Sequence, residues 1–311
     1  MSKLLVVFGA TGNQGGSVVS FVLNDPELSS QYRLRAVTRD PSGPAAQALT
    51  KQGVEVVQAD FDDQASIQAA LRDAHTVFLV TVSIYGPDGK EKQSQQGRFV
   101  ADTAVAQGAQ YLIFSTAPSV TKTSGDKYRN VDIFDVKAEL EEYIRGLPVR
   151  SAFFSVGSFM QNYHTGLRPR PVGDGTYSIS SPVSPQTRTA LIDISGDSGK
   201  FVGAILADPE RFAGSSLFAA TATYTFEEIA GALSAATGKT VKYTQLPEGL
   251  YRSFFPKEAA ATRYVEMFAY IQDFGYFGPQ TEELVRSSAA SARGKVTTFE
   301  EFLRREPLVL E

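Results

Sequence analysis

Three glycines near the amino terminus and a lysine in mid-chain are the residues whose setting implies chemistry. Gly9-x-x-Gly12-x-x-Gly15 stands between an apolar run, Leu4–Phe8, and a helix-like stretch, residues 16–23. Strand, glycine turn and helix in that order form the context of a dinucleotide-binding fingerprint. The spacing differs from the commoner G-x-G-x-x-G, but the physical demands are the same. One glycine makes the sharp turn, one lets the backbone approach a pyrophosphate, and one lets the helix pack closely on the strand. Gly9, Ala10, Thr11, Gly12, Asn13, Gln14 and Gly15 are therefore expected to bind the phosphates, with the free N–H groups of the helix start facing them.

The next apolar run ends Val37-Thr38-Arg39-Asp40. An acid that holds ribose hydroxyls is usual about 20 residues beyond the glycines. Here Thr38 is followed directly by Arg39, whose guanidinium can form charge-assisted bonds to a 2′-phosphate. This predicts NADP(H) over NAD(H). Asp40 is the counter-argument, since it could pair with Arg39 or bond a ribose hydroxyl. After the third run, Asp60 could bond the adenine amino group and Phe61 cover the ring; a helix-capping acid beside a core aromatic is the other reading. Thr81 and Val82 end the fourth run, where the chain should pass the pyrophosphate and the nicotinamide ribose.

These residues need a frame, and the pattern supplies one. Apolar runs at 34–38, 54–58, 76–80, 111–115 and 150–155 read as strands, with helix patterns near 14–24, 43–52, 64–73, 91–107 and 135–146. Asp62 and Asp63 are candidate caps for the helix at 64–73. Near-continuous apolar strands alternating with helices predict an α/β fold, a Rossmann doubly wound parallel sheet. The pattern changes after Ser155. Residues 165–189 are rich in Pro, Gly, Ser and Thr, with a short strand at 176–180. Helix is expected over Ile192–Leu206, 223–237, 247–272 and 297–305, and a strand over 240–245. The chain thus divides into a nucleotide-binding domain at 1–156, to which 190–220 returns, and a smaller, mainly helical C-terminal domain. That second domain, 157–189 with 221–311, is expected to bind a substrate or partner.

Composition narrows the function. The 311 residues carry a net charge of −4, which argues against direct nucleic-acid binding. There is no cysteine, so disulfides, thiolate metal sites and cysteine nucleophiles are excluded, and with only His75 and His164 no metal site is expected. No apolar run approaches the ~18 residues of a membrane span. The first strand is expected to begin at Lys3, which leaves no room for a signal peptide, so a cytoplasmic and also nuclear location is the expectation.

Several segments together resemble the NmrA-like branch of the atypical short-chain dehydrogenases/reductases, including its vertebrate redox-sensor members. They are Val6–Val18, Val37-Thr-Arg39, Val56–Asp60, Phe134-Asp-Val-Lys137 and Phe159-Met-Gln-Asn162, with Ile192-Asp193-Ile194 and residues 298–303 also fitting. The resemblance implies a Rossmann domain that binds NADP(H), with Phe159 and Asn162 on the nicotinamide side. It implies either a nucleotide-sensing regulator without robust turnover or a reductase of quinones, aldehydes, imines or phenylpropanoids. Ordinary members of the superfamily use Tyr-x-x-x-Lys, where the lysine binds the nicotinamide ribose and the tyrosine protonates the carbonyl oxygen. Here the position four before Lys137 is Ile133, so that acid is missing. Phe134-Asp-Val-Lys137 matches the lysine of the NmrA-like pattern. The resemblance implies that Lys137 holds the nicotinamide ribose and, as in some reductase relatives, serves in acid–base catalysis, which makes it the catalytic as well as a cofactor-binding candidate. Tyr128, Ser115, Thr116 and His164 are weaker candidates for proton transfer or for orienting a carbonyl. The aromatics at 251–277 are read chiefly as core with some pocket wall. The favoured function is an NADPH-dependent reductase of a small electrophilic substrate. The alternative is a non-catalytic NADP(H) sensor that regulates a protein partner. Neither a nucleic-acid nor a membrane partner is expected, and a homodimer is left open.

Overall fold

A computed structural model describes residues 2–311. The strands are β1 (Lys3–Phe8), β2 (Tyr32–Thr38), β3 (Glu55–Gln58), β4 (Thr76–Leu79), β5 (Tyr111–Thr116), β6 (Arg150–Val156), β7 (Ser158–Phe159), β8 (Arg170–Pro171), β9 (Tyr177–Ser181), β10 (Arg188–Ile192), β11 (Ser216–Ala219), β12 (Ala222–Thr225) and β13 (Val241–Gln245). The helices are α1 (Asn13–Asn24), α2 (Pro26–Gln31), α3 (Pro44–Lys51), α4 (Gln64–Leu71), α5 (Gly89–Ala106), α6 (Val120–Thr123), α7 (Asp132–Arg145), α8 (Ile194–Ala207), α9 (Pro209–Phe212), α10 (Phe226–Thr237), α11 (Glu248–Arg252), α12 (Glu258–Phe274), α13 (Thr281–Ser291) and α14 (Phe299–Arg305).

Seven strands form one sheet in the order β11-β6-β5-β4-β1-β2-β3, and every pairing in it is parallel. The chain runs from β1 outward to β3, then crosses to β4 on the other side of β1. That reversal opens a crevice at the carboxyl ends of β1 and β4, where open α/β sheets bind ligands. Side chains alternate between the two faces of each strand. Leu5 and Val7 face α1 and α8 in one core, with Val18, Val22, Phe201 and Ile205. Leu4, Val6 and Phe8 face the other core, which contains Leu71 of α4, Val100 of α5 and Leu140 of α7.

The helix expected from Ile192 begins two residues later. Ile192 closes β10, and Asp193 caps α8 by accepting from Gly196 N at 3.0 Å. A short apolar strand runs on into an apolar helix, and only the cap divides them. α8 lies tightly on α1: a Cβ at Gly199 would stand 2.4 Å from the Ser17 carbonyl oxygen, and one at Gly203 would stand 2.4 Å from the Phe21 ring. β11 then returns to the large sheet beside β6. The rest of the second half is helix-rich and also carries two three-stranded sheets, β12-β10-β7 and β13-β9-β8. Of the two expected caps on α4, Asp63 accepts from Ala65 N and Ser66 N, whereas Asp62 bonds Lys92 and Gln96 of α5.

Candidate functional site

The glycine turn leaves β1 with Gly9 in the left-handed region at φ 64°, and its carbonyl accepts from Gly12 N at 2.9 Å. Gly12 begins α1 with no side-chain cap, so the first N–H groups of the helix stay open. Thr11, Gly12 and Asn13 are exposed, while Gly15 is buried. A Cβ at Gly15 would stand 2.4 Å from the Gly9 carbonyl oxygen, whereas one at Gly12 would stand 3.3 Å from that atom. Gly15 therefore lets α1 approach β1, and Gly12 keeps the outer surface of the turn bare.

Thr38, at the end of β2, is tied to the turn by its hydroxyl, 3.3 Å from that of Thr11. Arg39 follows it and is exposed. The Asp40 carboxylate is turned away to Ser42, accepting from its N at 2.9 Å and its Oγ at 2.6 Å. These bonds hold its carboxyl below the ordinary range and leave Arg39 without that acid as partner. Asp60 is exposed and accepts from Asp62 N at 2.9 Å. Phe61 stacks on Phe8 with ring centroids 5.7 Å apart.

A cavity of about 590 Å³ opens at the carboxyl ends of β4, β5 and β6. Of the predicted residues, Gln14, Thr81, Ser115, Thr116, Lys137, Phe159 and Asn162 line it. Val82 does not, and is 58% exposed beside it. The far wall is aromatic, with Tyr251, Phe255, Tyr264 and Phe268 from α11, α12 and the segment between them, and Tyr276 beyond. Tyr85, on the loop after β4, also lines the cavity and carries its ring to 5.3 Å from the Arg263 guanidinium on α12. Of the other aromatics considered, Phe254 is exposed and Tyr270, Phe274 and Phe277 pack in a separate core.

Ser115 donates to Gln14 Oε1 at 2.6 Å, joining β5 to the glycine turn. Lys137 projects from α7, and its Nζ donates to both the carbonyl oxygen and Oγ1 of Thr81, each at 3.0 Å. Burial strips water from this ammonium and pushes its pKa down to about 8. Ile133, in the position of the missing tyrosine, also lines the cavity. Gln93 of α5 is the polar residue that sequence reading missed. It is 1% exposed and its Nε2 donates to Thr81 Oγ1 at 2.9 Å. Nothing in the helix pattern separated it from the neighbouring glutamines at 95 and 96.

Other candidates lie elsewhere. Tyr128 donates to Asp273 at 2.7 Å and packs edge-on against Phe274, away from the cavity wall. His164 packs on Phe302 with ring centroids 5.3 Å apart, also outside it. His75 stands at the opposite end of β4 from Thr81, 2.9 Å from the Thr76 hydroxyl, and burial lowers its pKa. Among the described residues no cluster of His, Cys, Asp and Glu has the grouping of a metal site, and no helix is long and apolar enough to cross a membrane.

An NmrA-like oxidoreductase of Cladobotryum, named FrzB, is 28% identical to this chain over 98% of it and 96% of its own length. NmrA, a negative transcriptional regulator solved in complex with NADP, has the same fold, with TM-score 0.81, 20% identity, and coverage of 97% of this chain and 94% of that one. An NADPH-dependent quinone oxidoreductase of Escherichia coli shares the fold at TM-score 0.73 and 19% identity, over 97% and 99% of the two chains. The NmrA-like family model matches residues 1–303, and the chain belongs to that family.

Proposed function

We propose that this protein is an NADPH-dependent reductase of a small electrophilic organic substrate, such as a quinone, a carbonyl or an imine. The observation that carries the reading is the position of Lys137. Its ammonium stands in the wall of an aromatic cavity that also touches the glycine turn through Gln14. Relatives named oxidoreductases support the same reading.

The chain's residues suit a dinucleotide phosphate. The uncapped start of α1 and the bare face of Gly12 offer N–H donors to a pyrophosphate, and Arg39 offers a fixed positive charge to a 2′-phosphate. Bound NADPH would supply a hydride. Lys137, Thr81 and Asn162 would meet the ribose, carboxamide or substrate at the cavity wall. The aromatic side chains exclude water and favour a flat apolar body. Lys137 can give a proton to an oxygen or nitrogen that gains charge, since an amine near pKa 8 is partly poised for transfer at neutral pH. A substrate that is already electrophilic needs little more help, which accords with Ile133 in place of an acid.

A second reading, an NADP(H) sensor, has its support in that missing acid and in the regulator that shares the fold. NADPH oxidation across a panel of quinones, carbonyls and imines separates the two. Turnover of at least one class is expected, and no turnover together with nucleotide-dependent capture of a protein would favour the sensor.

The cofactor preference gives a further expected result. Arg39→Ala should weaken NADPH binding by roughly 1.5–3 kcal/mol, the size of a hydrogen bond to a charged group. NADH binding should change little. Calorimetry that finds equal losses for both nucleotides would remove Arg39 from the 2′-phosphate site.

A further inference from the structure

Gln93 is nearly fully buried, which is unusual for a glutamine, and both ends of its amide are engaged. Nε2 donates to Thr81 Oγ1 at 2.9 Å, and Oε1 accepts from Ile84 N at 3.4 Å. The Ile84 N–H can only donate, so it fixes which way the amide faces. One side chain of α5 thus holds residues 81 and 84, the two sides of the segment that leaves β4. Four residues on, on the same face of α5, Gly97 allows the close approach this needs. A Cβ there would stand 2.6 Å from Leu140 of α7 and 3.3 Å from the Thr81 methyl group.

The Thr81 hydroxyl oxygen has two lone pairs. The Gln93 amide takes one and the Lys137 ammonium the other, at 3.0 Å. We propose that Gln93 is a positioning residue for Lys137: it holds the 81–84 segment against the ammonium and makes that ammonium share the Thr81 oxygen with a second donor. The inference rests on the reading of Lys137 as the group that meets the ligand. Its consequence is electrostatic. An ammonium that is poorly hydrated and shares an acceptor gives up its proton more readily. If Gln93 loses its amide, the segment loosens, more water reaches the ammonium, and the Thr81 hydroxyl oxygen belongs to Lys137 alone. Both changes favour the charged amine. If Thr81 loses its hydroxyl, the ammonium loses an acceptor and the charged form is disfavoured. The two partners of one hydrogen bond therefore shift Lys137 in opposite directions, which a merely structural contact would not do.

The test is the pH dependence of Lys137 acylation by acetic anhydride in the full-length protein without nucleotide, read by mass spectrometry of the peptide that contains it. Only the neutral amine reacts, so the midpoint reports its titration. The wild-type midpoint should lie near 8. Gln93→Leu should raise it by about one unit, cutting the rate at pH 7 roughly tenfold. Thr81→Val should lower it, and Thr81→Ser should restore it. Gln93→Glu, which puts a carboxylate two hydrogen-bond lengths from Nζ, should raise it and serves if the leucine variant does not fold. A folded Gln93→Leu with an unmoved or lowered midpoint overturns the proposal. So does a shift of Gln93→Leu and Thr81→Val in the same direction. A failure of NADPH turnover would instead count against the reductase reading, because the acylation readout does not use it.

Discussion

Lys137→Met is expected to lower kcat for NADPH-dependent reduction by about 100-fold or more, the usual size of a general-acid effect. Methionine keeps most of the length and packing of the side chain and removes the charge and all three donors. The loss in NADPH affinity should be smaller, because a bound nucleotide would keep its phosphate contacts at the glycine turn and Arg39. With the ammonium as the donor, kcat should hold below pH 8 and fall above it. Stability should move the other way. Below pH 8 the folded protein holds a poorly solvated charge that the methionine variant lacks, so Lys137→Met should be no less stable than wild type. Between about pH 8 and 10.5 unfolded lysine keeps its proton while folded Lys137 has lost it. The unfolded state then binds more protons, wild-type stability rises with pH, and the advantage of the variant shrinks. A brisk wild type with unchanged kcat in Lys137→Met would end the assignment.

Gly12→Val and Gly15→Val should fail for different reasons. At Gly12 a Cβ would stand 3.3 Å from the Gly9 carbonyl oxygen, a tight contact that a shift of a few tenths of an ångström relieves, but the side chain would cover the outer surface of the turn. That variant should keep its circular dichroism spectrum and melting temperature, and lose NADPH binding beyond detection. At Gly15 a Cβ meets the Gly9 carbonyl oxygen at 2.4 Å and the Phe8 carbonyl oxygen at 2.7 Å, both backbone atoms of the strand–turn junction. Overpacking of this kind costs about 3 kcal/mol or more, so Gly15→Val should melt far lower or not accumulate. Tight NADPH binding by Gly12→Val would place the phosphates elsewhere.

Six of the seven strands of the large sheet were legible because they are apolar runs bounded by helix patterns, and that signal is local; β11, the four residues Ser216–Ala219 at its edge, was not read as a strand. Gly9, Gly12 and Gly15 were legible for the same reason: the demands of the turn act within seven residues. Ile192 was not, since β10 and α8 are both apolar and their boundary lies in the cap made by Asp193. Gln93 was hidden because its partners, Thr81 and Ile84, lie on the segment after β4, and only the meeting of that segment with Lys137 of α7 makes a buried glutamine meaningful. Tyr128 shows the converse. Its closeness in sequence to Lys137 suggested chemistry, but the fold turns it to Asp273 on α12.

The return of the chain to the large sheet bears on how this protein is made. β6 ends at Val156, but its outer neighbour β11 is completed only at Ala219, and the face of α1 is covered by α8 between them. A ribosome that has released residues 1–156 has therefore delivered every glycine of the turn but not the strand and helix that finish their support. Until some sixty further residues emerge, β6 is an open, apolar edge and Phe21 lacks its cover, the state in which chains of this kind pair wrongly or recruit chaperones.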